Sequence, residues 1–333
     1  MSEKHNPAFY ESTYVPSQRS EFNSSADLLG NPHAIYNYLL SQVYKQDDYA
    51  KDAAMFLFNH ARGIPQRLFV CGPSGSGKTY MFECIKRIYP HTIIVNAATI
   101  TGQGWKGDNK ITSFLCNIDF TSKEKYICVF DEFDKLASPS WSSHGENLSA
   151  STQSELLKLV EGEKIPVQLR TEHGIDTVMV DTYGISFVFC GSFAKSAGEI
   201  AEKESSKQIG FISQNTVHSA FDRKLNIQDL IDEGGVILEL ASRVTRISNV
   251  RPLSVDDYKY LIKSHTGSPL RKLEKAYGLK LNIDDIILDS IAEEAFRSKL
   301  GVRNATARLQ ELIDNKLFDC PAEELPNLRE IDI

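Results

Sequence analysis

Eight consecutive residues, Gly72-Pro73-Ser74-Gly75-Ser76-Gly77-Lys78-Thr79, satisfy G-x-x-x-x-G-K-[ST] at every fixed position and restrict what the rest of the chain can be. Such a run is a phosphate-binding loop. Its glycines let successive backbone N–H groups turn inward around phosphates, Lys78 places an ammonium on the outer phosphates, and the Thr79 hydroxyl suits Mg²⁺. With glycine at roughly 7% of average usage, a chance match in a chain of this length arises on the order of once in a hundred sequences. The flanks agree. Arg67-Leu68-Phe69-Val70-Cys71 is a strand-like run entering the loop, and Met81, Cys84, Ile85 and Ile88 follow it at helical spacing. The N-terminus of that helix, beginning around Tyr80, would point its partial positive charge at the phosphates. Gly72 through Tyr80 are therefore the candidate nucleotide-holding residues.

A second stretch completes the chemistry. Tyr126-Ile127-Cys128-Val129-Phe130 is an apolar strand ending in Asp131 and Glu132. Asp131 at the strand tip is the candidate Mg²⁺ ligand beside Thr79, and Glu132 the candidate base that orients and deprotonates an attacking water. That pairing favours hydrolysis over transfer to a bound acceptor. Thr92–Asn96, Thr177–Thr182 and Ile185–Cys190 read as further strands, the last too apolar to sit anywhere but inside a sheet. Strands alternating with helices imply an α/β fold with a doubly wound parallel sheet, its ligand at the carboxyl ends of the strands.

Composition narrows the class. The chain has 333 residues, 41% hydrophobic and 24% charged, enough for two domains with a sizeable core. A net charge of -7 argues against a constitutive nucleic-acid binder, because Lys and Arg neutralising phosphates supply most non-specific affinity there. The six cysteines are scattered with no C-x-x-C pair, so neither a zinc site nor a disulfide framework is expected, and a reducing, cytoplasmic setting fits. No run is long enough to span a bilayer.

Met1 to Gly30 is polar and without periodicity, and reads as a loosely held tail. Asn31-Pro32-His33 looks like a helix start, and a second helix carrying Tyr49, Ala53, Phe56 and Leu57 stops before Gly63-Ile64-Pro65. Gly102-Gln103-Gly104-Trp105-Lys106-Gly107 sets one large ring among glycines, either folded back onto the core or held out as a grip. Ser138–Ser154 reads as a long exposed loop, followed by a short helix ending at Gly162. Ala194–Gly235 is polar, interrupted by Ile209-Gly210-Phe211, which is either a local anchor or a partner contact. Val244–Val250 restores strand character and Arg251-Pro252-Leu253 looks like a hinge. The remainder reads as helical, with a capping-box start at Ser254-Val255-Asp256-Asp257, a helix from about Asp285 to Lys299, and a last one from Val302 to Phe318.

In order, these segments resemble the AAA+ ATPases, and among them the ClpX protein unfoldases, from about Asn31 to Phe318. Asn31-Pro32-His33-Ala34-Ile35 with Val43-Tyr44-Lys45-Gln46 is similar to the family's opening helix and its Val-Ile-Gly-Gln box, which flanks adenine. Gly104-Trp105-Lys106-Gly107 stands where the family has the Gly-Tyr-Val-Gly pore loop. Asp131-Glu132-Phe133-Asp134-Lys135 resembles Asp-Glu-Ile-Asp-Lys, and Leu156–Gly162 resembles Leu-Leu-Lys-Leu-Ile-Glu-Gly. Arg170–His173 partly matches an Arg-Lys-His loop, and Cys190-Gly191-Ser192-Phe193 departs from Gly-Gly-Ala-Phe, leaving the first sensor unnamed. Arg243 sits like the finger that reaches a neighbouring subunit's site, Arg303 like the second-sensor arginine, and Ile209-Gly210-Phe211 like the loop that docks on the ClpP peptidase.

The resemblance implies a tail (1–30), a large nucleotide-binding domain (31–250) and a small helical lid (251–333). It implies ATP and Mg²⁺ as cofactors, Val43 and Tyr44 beside the base, Glu132, Arg243 and Arg303 as catalytic groups, and Trp105 and Lys106 on substrate. It further implies a homo-oligomeric, hexameric ring that unfolds protein substrates and feeds a ClpP-like peptidase, without membrane or nucleic acid, and without the family's amino-terminal zinc domain. A different class remains open, an AAA+ ATPase remodelling nucleic acid or nucleoprotein. A P-loop kinase is weakened by Glu132, Arg243, Arg303 and the helical second domain.

Overall fold

The computed structural model describes residues 25–100, 111, 113–119, 124–171, 174–207, 223–265, 267–298, 300–323 and 325–333. Helix α1 (Ser25–Leu29) precedes α2 (Pro32–Gln42) and α3 (Asp47–Ala61). Asn31 caps α2, its Oδ1 accepting from the His33 and Ala34 amides, with Pro32 at a position that needs no N–H. The expected tail thus becomes helical at Ser25, because Leu28 finds a buried place against the α2–α3 core.

Strand β1 (Arg67–Cys71) leads through the phosphate loop into α4 (Lys78–Ile88), then β2 (Thr92–Asn96), β3 (Ile127–Asp131) and α5 (Phe133–Ala137). Beyond α6 (Leu148–Glu161) come a hairpin, β4 (Lys164–Thr171) with β5 (Gly174–Asp181), then β6 (Ser186–Gly191) and α7 (Ala194–Lys207). Helices α8 (Ile227–Asp232) and α9 (Leu238–Ala241) and strand β7 (Arg246–Asn249) close this part. The central sheet has five parallel strands in the order β2-β3-β6-β1-β7. Its pleat splits the apolar residues cleanly. Phe69, Phe130, Phe187 and Phe189 face one helical layer, and Leu68, Val70, Val129 and Val188 face the other, so both faces are covered as a parallel sheet requires.

Three expectations are corrected. Thr177–Thr182 does not join the central sheet: β5 pairs antiparallel with β4, Lys164 opposite Asp181, and leaves Val178 and Met179 exposed. Serine-rich 148–154 is helix, not loop, because Asn147 caps it and its polar residues are used internally. Ser149 Oγ donates to the carbonyls of Leu136 and Ala137 (2.6 and 3.0 Å), and Gln153 is fully buried. The polar run after Ala194 likewise holds α7, and a capping box between Asn226 and Asp229 starts α8.

From Leu253 onward a separate apolar core gathers α10 (Val255–Lys263), α11 (Pro269–Tyr277), β8 (Lys280–Asn282), α12 (Asp285–Arg297), α13 (Val302–Asp319) and β9 (Glu330–Asp332). The capping box expected at Ser254 is present, with Asp257 as its partner. The expected all-helical remainder is amended by a parallel β8–β9 pair. Among the described residues no helix is long and apolar enough to cross a membrane.

Candidate functional site

The strand order places the chemistry. β6 lies between β1 and β3, so the loop after β1 and the carboxylates after β3 flank the β6 tip at Gly191-Ser192. A cleft of about 420 Å³ opens there, floored by Ser74 to Tyr80, Asp131, Glu132, Gly191 and Ser192. One end is walled by Val43, Tyr44 and Gln46, and the roof is supplied by the small helical unit, including His265, Lys272, Leu300 and Arg303. The volume suits a nucleotide.

Lys78 is 9% exposed, and its Nζ donates to the carbonyls of Gly72 (2.9 Å) and Pro73 (2.7 Å). Burial pulls its pKa below the ordinary lysine value, opposed by the negative field of Asp131 and Asp134. The Tyr49 hydroxyl of α3 donates to the Lys78 carbonyl, pinning the first turn of α4 under the loop. Glu132 sits in the left-handed region at φ 56°, uncommon for a side-chain-bearing residue and characteristic of functional strain. Its amide donates to Asp131 Oδ1 at 3.0 Å, and its Oε2 accepts from Lys135 Nζ at 3.0 Å. Asp131 and the Thr79 hydroxyl, both on the cleft, are hard oxygen donors of the kind Mg²⁺ takes in ones and twos beside phosphates. Among the described residues no cluster of three or more His, Cys, Asp or Glu could hold a metal by itself.

Beside Val43 the ring of Tyr44 stacks on Tyr260 of α10, centroids 4.3 Å apart. Lys45, at φ 53°, pairs with Asp257 of the same helix. At the other end of the roof, Arg303 makes no hydrogen bond or ion pair among the described residues, so its guanidinium is available to the cleft. Two cations, Arg87 and Lys272, hold their charged groups 5.8 and 5.9 Å from the ring centre of Tyr80.

The structure therefore gathers Ser74–Tyr80, Asp131, Glu132, Val43, Tyr44 and Arg303 around one cleft, while Gly72 and Pro73 do not line it and instead accept from Lys78 Nζ through their carbonyls. Arg243 is elsewhere. It does not line the cleft, and pairs with Glu161 at the end of α6. Trp105, Lys106, Ile209, Gly210 and Phe211 lie outside the described residues. Sequence reasoning missed Gln46, Ser192, His265 and Lys272 on the cleft. Gln46 had a visible signal in its place in the box around Tyr44, and Ser192 in the segment that stands for Gly-Gly-Ala-Phe; His265 and Lys272 had none. The imidazole of His265 is held below its usual pKa by burial and by the charges of Lys272 and Arg271.

A model of the ATPase family associated with various cellular activities (AAA) matches residues 68–180, from the first strand through the carboxylates to β5. A ClpX 2 ATP-binding subunit of the Clp protease from Wolinella succinogenes is 27% identical over 89% of this chain and 79% of its own length. The mitochondrial ClpX-like chaperone of Saccharomyces cerevisiae is 28% identical over 78% of this chain and 60% of its own length. ClpX from Porphyromonas gingivalis is 25% identical over 90% and 80% respectively. With the AAA model seated on the nucleotide-binding strands and ClpX proteins matching from that sheet into the helical roof, residues 68–180 carry an AAA ATPase region and the chain as a whole is similar to the ClpX proteins.

Proposed function

We propose that this ATPase is a ring-forming protein unfoldase. The observation that carries the reading is the cleft itself, formed between a parallel sheet with its phosphate loop and a separately cored helical unit that contributes Arg303. A nucleotide bound there touches both bodies, so cleavage of its outer phosphate changes what holds them together. ATP sits on Gly72–Tyr80 with its base beside Val43 and Tyr44, and Thr79 and Asp131 would hold Mg²⁺, which would offset charge on the outer phosphates. Glu132 takes the proton of the attacking water, and Lys135 holds its carboxylate in position meanwhile. Arg303 lies against the phosphates from the roof.

Arg243 serves a neighbouring subunit, which explains a cation in the finger position that stays off its own cleft. Hydrolysis then depends on assembly, in a homo-oligomer of hexameric form. Trp105 and Lys106 push on polypeptide threaded through the ring, and Ile209, Gly210 and Phe211 dock on a ClpP-like peptidase in the cytoplasm. The ClpX names of the relatives support this substrate class over nucleic acid, as does the net charge of -7.

Glu132→Gln tests the assignment. The variant should bind ATP and assemble with wild-type mass while losing roughly 10²–10⁴-fold in hydrolysis, the usual worth of a positioned base. Turnover within threefold of wild type sinks the assigned base. Stimulation of the wild-type ATPase by DNA, and not by unfolded protein, replaces the unfoldase reading with the nucleic-acid one.

A further inference from the structure

In its own chain Arg243 is held, and the manner of holding is specific. Its Nε and Nη2 both donate to Oε1 of Glu161, at 2.9 and 2.6 Å. A guanidinium is planar, with five N–H donors in a fixed fork. Glu161 takes the Nε–Nη2 edge. The other edge, Nη1–Nη2, makes only a 3.4 Å contact from Nη1 to Ser242 Oγ, at the long limit for a hydrogen bond. Half of the Arg243 side chain remains exposed, against 30% for Glu161.

The surroundings keep the pair in place. Arg67 donates Nε and Nη2 to the Val160 carbonyl at 3.1 and 2.6 Å, next to Glu161. Burial and the positive charge of Arg243 both lower the Arg67 pKa, so Arg243 is discouraged from approaching Arg67 more closely. Glu161 ends α6, and that helix is fixed at its start. Ser149 Oγ binds the last carbonyls of α5, and Gln153 spans the turn before α9, donating to the Gly235 carbonyl (3.0 Å) and accepting from the Ile237 amide (3.1 Å). The fit is close. A Cβ on Gly235 would stand 2.4 Å from the Ala137 carbonyl oxygen. Since α5 begins directly after Glu132 and Ser149 ties α6 to its end, two packed helices join Glu132 to the Glu161 that holds Arg243.

We propose that Glu161 is the positioning residue for Arg243, holding the guanidinium by its Nε edge so that the Nη edge is presented to a phosphate bound in the adjacent subunit. This rests on the reading that Arg243 completes a neighbour's site. A pair this exposed adds little to stability; its effect is on aim, and misplacement by about 1 Å can cost 10²-fold in rate.

Mixed assemblies test it. Chains with Glu132→Gln cannot hydrolyse but donate Arg243, and chains with Arg243→Ala can hydrolyse only beside a donor, so the mixture should turn over faster than either variant alone. Glu161→Ala is then placed on the donor or on the recipient chain, with equal assembly verified by mass in solution. The donor placement should be at least tenfold slower than the recipient placement, in kcat more than in KM, a fraction of the roughly 10³–10⁵ that arginine fingers contribute. Glu161→Gln on the donor, which keeps an acceptor oxygen without the charge, should recover part of that loss. Equal rates for the two placements overturn the positioning role while leaving the neighbour reading standing. No gain on mixing the two parent variants removes that reading and the proposal with it.

Discussion

Replacing Gly301 with alanine tests how tightly the helical unit is coupled to the phosphate loop. Gly301 precedes α13, which carries Arg303, and has φ 61° and ψ −140°, a region that side-chain-bearing residues enter at a cost of about 1–3 kcal/mol. The position is also crowded. A Cβ there would meet the Gly75 carbonyl oxygen at 2.8 Å and the Gly75 Cα at 3.2 Å, so phosphate loop and α13 are in main-chain contact. The alanine variant relieves both problems by tipping α13 away from the loop, which opens the cleft on the Arg303 side. If closing it again costs the same 1–3 kcal/mol, ATP affinity falls roughly 5- to 150-fold, at 1.4 kcal/mol per factor of ten. Titration with a fluorescent ATP analogue measures this, alongside thermal unfolding. Strain retained instead in the closed form would lower the melting temperature by about 2–4 °C per kcal/mol. Affinity within twofold of wild type together with an unshifted melting temperature would refute the claim that this contact couples the two units.

Two further outcomes follow from the structure. His60 is buried, with Nδ1 2.7 Å from Ser186 Oγ and Nε2 near the Tyr89 hydroxyl and the Lys125 carbonyl, and burial pushes its pKa down to about 4. An unfolded histidine protonates near 6.5, so between these values the unfolded chain binds more protons; stability is complete above about pH 6.5 and falls by up to about 1.4 kcal/mol per unit below it, on the order of 3 kcal/mol in all. Urea midpoints at about pH 7 and about pH 5 should differ more for wild type than for His60→Gln, and equal differences would dismiss the effect. Lys45→Gly should relieve a left-handed backbone, yet leave the Asp257 carboxylate, only 3% exposed, with the Ser254 amide but no paired cation among the described residues. The second effect dominates, since a desolvated charge losing its partner costs more than one strained torsion; the variant should melt earlier, and a later melt would reverse that ranking.

The parts legible in the sequence are those whose cause is local. The phosphate loop declares itself through glycine spacing, and the carboxylates of Asp131 and Glu132 through the apolar strand they terminate. Helix α10 is announced by the Ser254–Asp257 box. The helices hidden in serine-rich and polar runs have their origin in polar residues that are satisfied out of sight. Ser149 and Gln153 look like loop residues because nothing in the sequence reveals their buried partners at 136–137 and 235–237. The β4–β5 hairpin was hidden for the opposite reason: Val178 and Met179 look like core and remain exposed. Arg243 was found from its place in a motif, but its hold by Glu161 joins positions far apart in the chain and has no local signature.

One side-chain amide has a mechanical consequence. Gln46 is buried, and it both donates to the Arg251 carbonyl and accepts from the Arg251 amide, each at 2.9 Å. Both main-chain groups of that residue are thereby engaged, and the following residue is Pro252, whose ring locks its own φ. Any displacement of the C-terminal quarter against the sheet would have to be absorbed by the torsions left around this anchor. A body held in this way would pivot on a pin instead of sliding, with its travel smallest near Gln46 and growing with distance from Arg251.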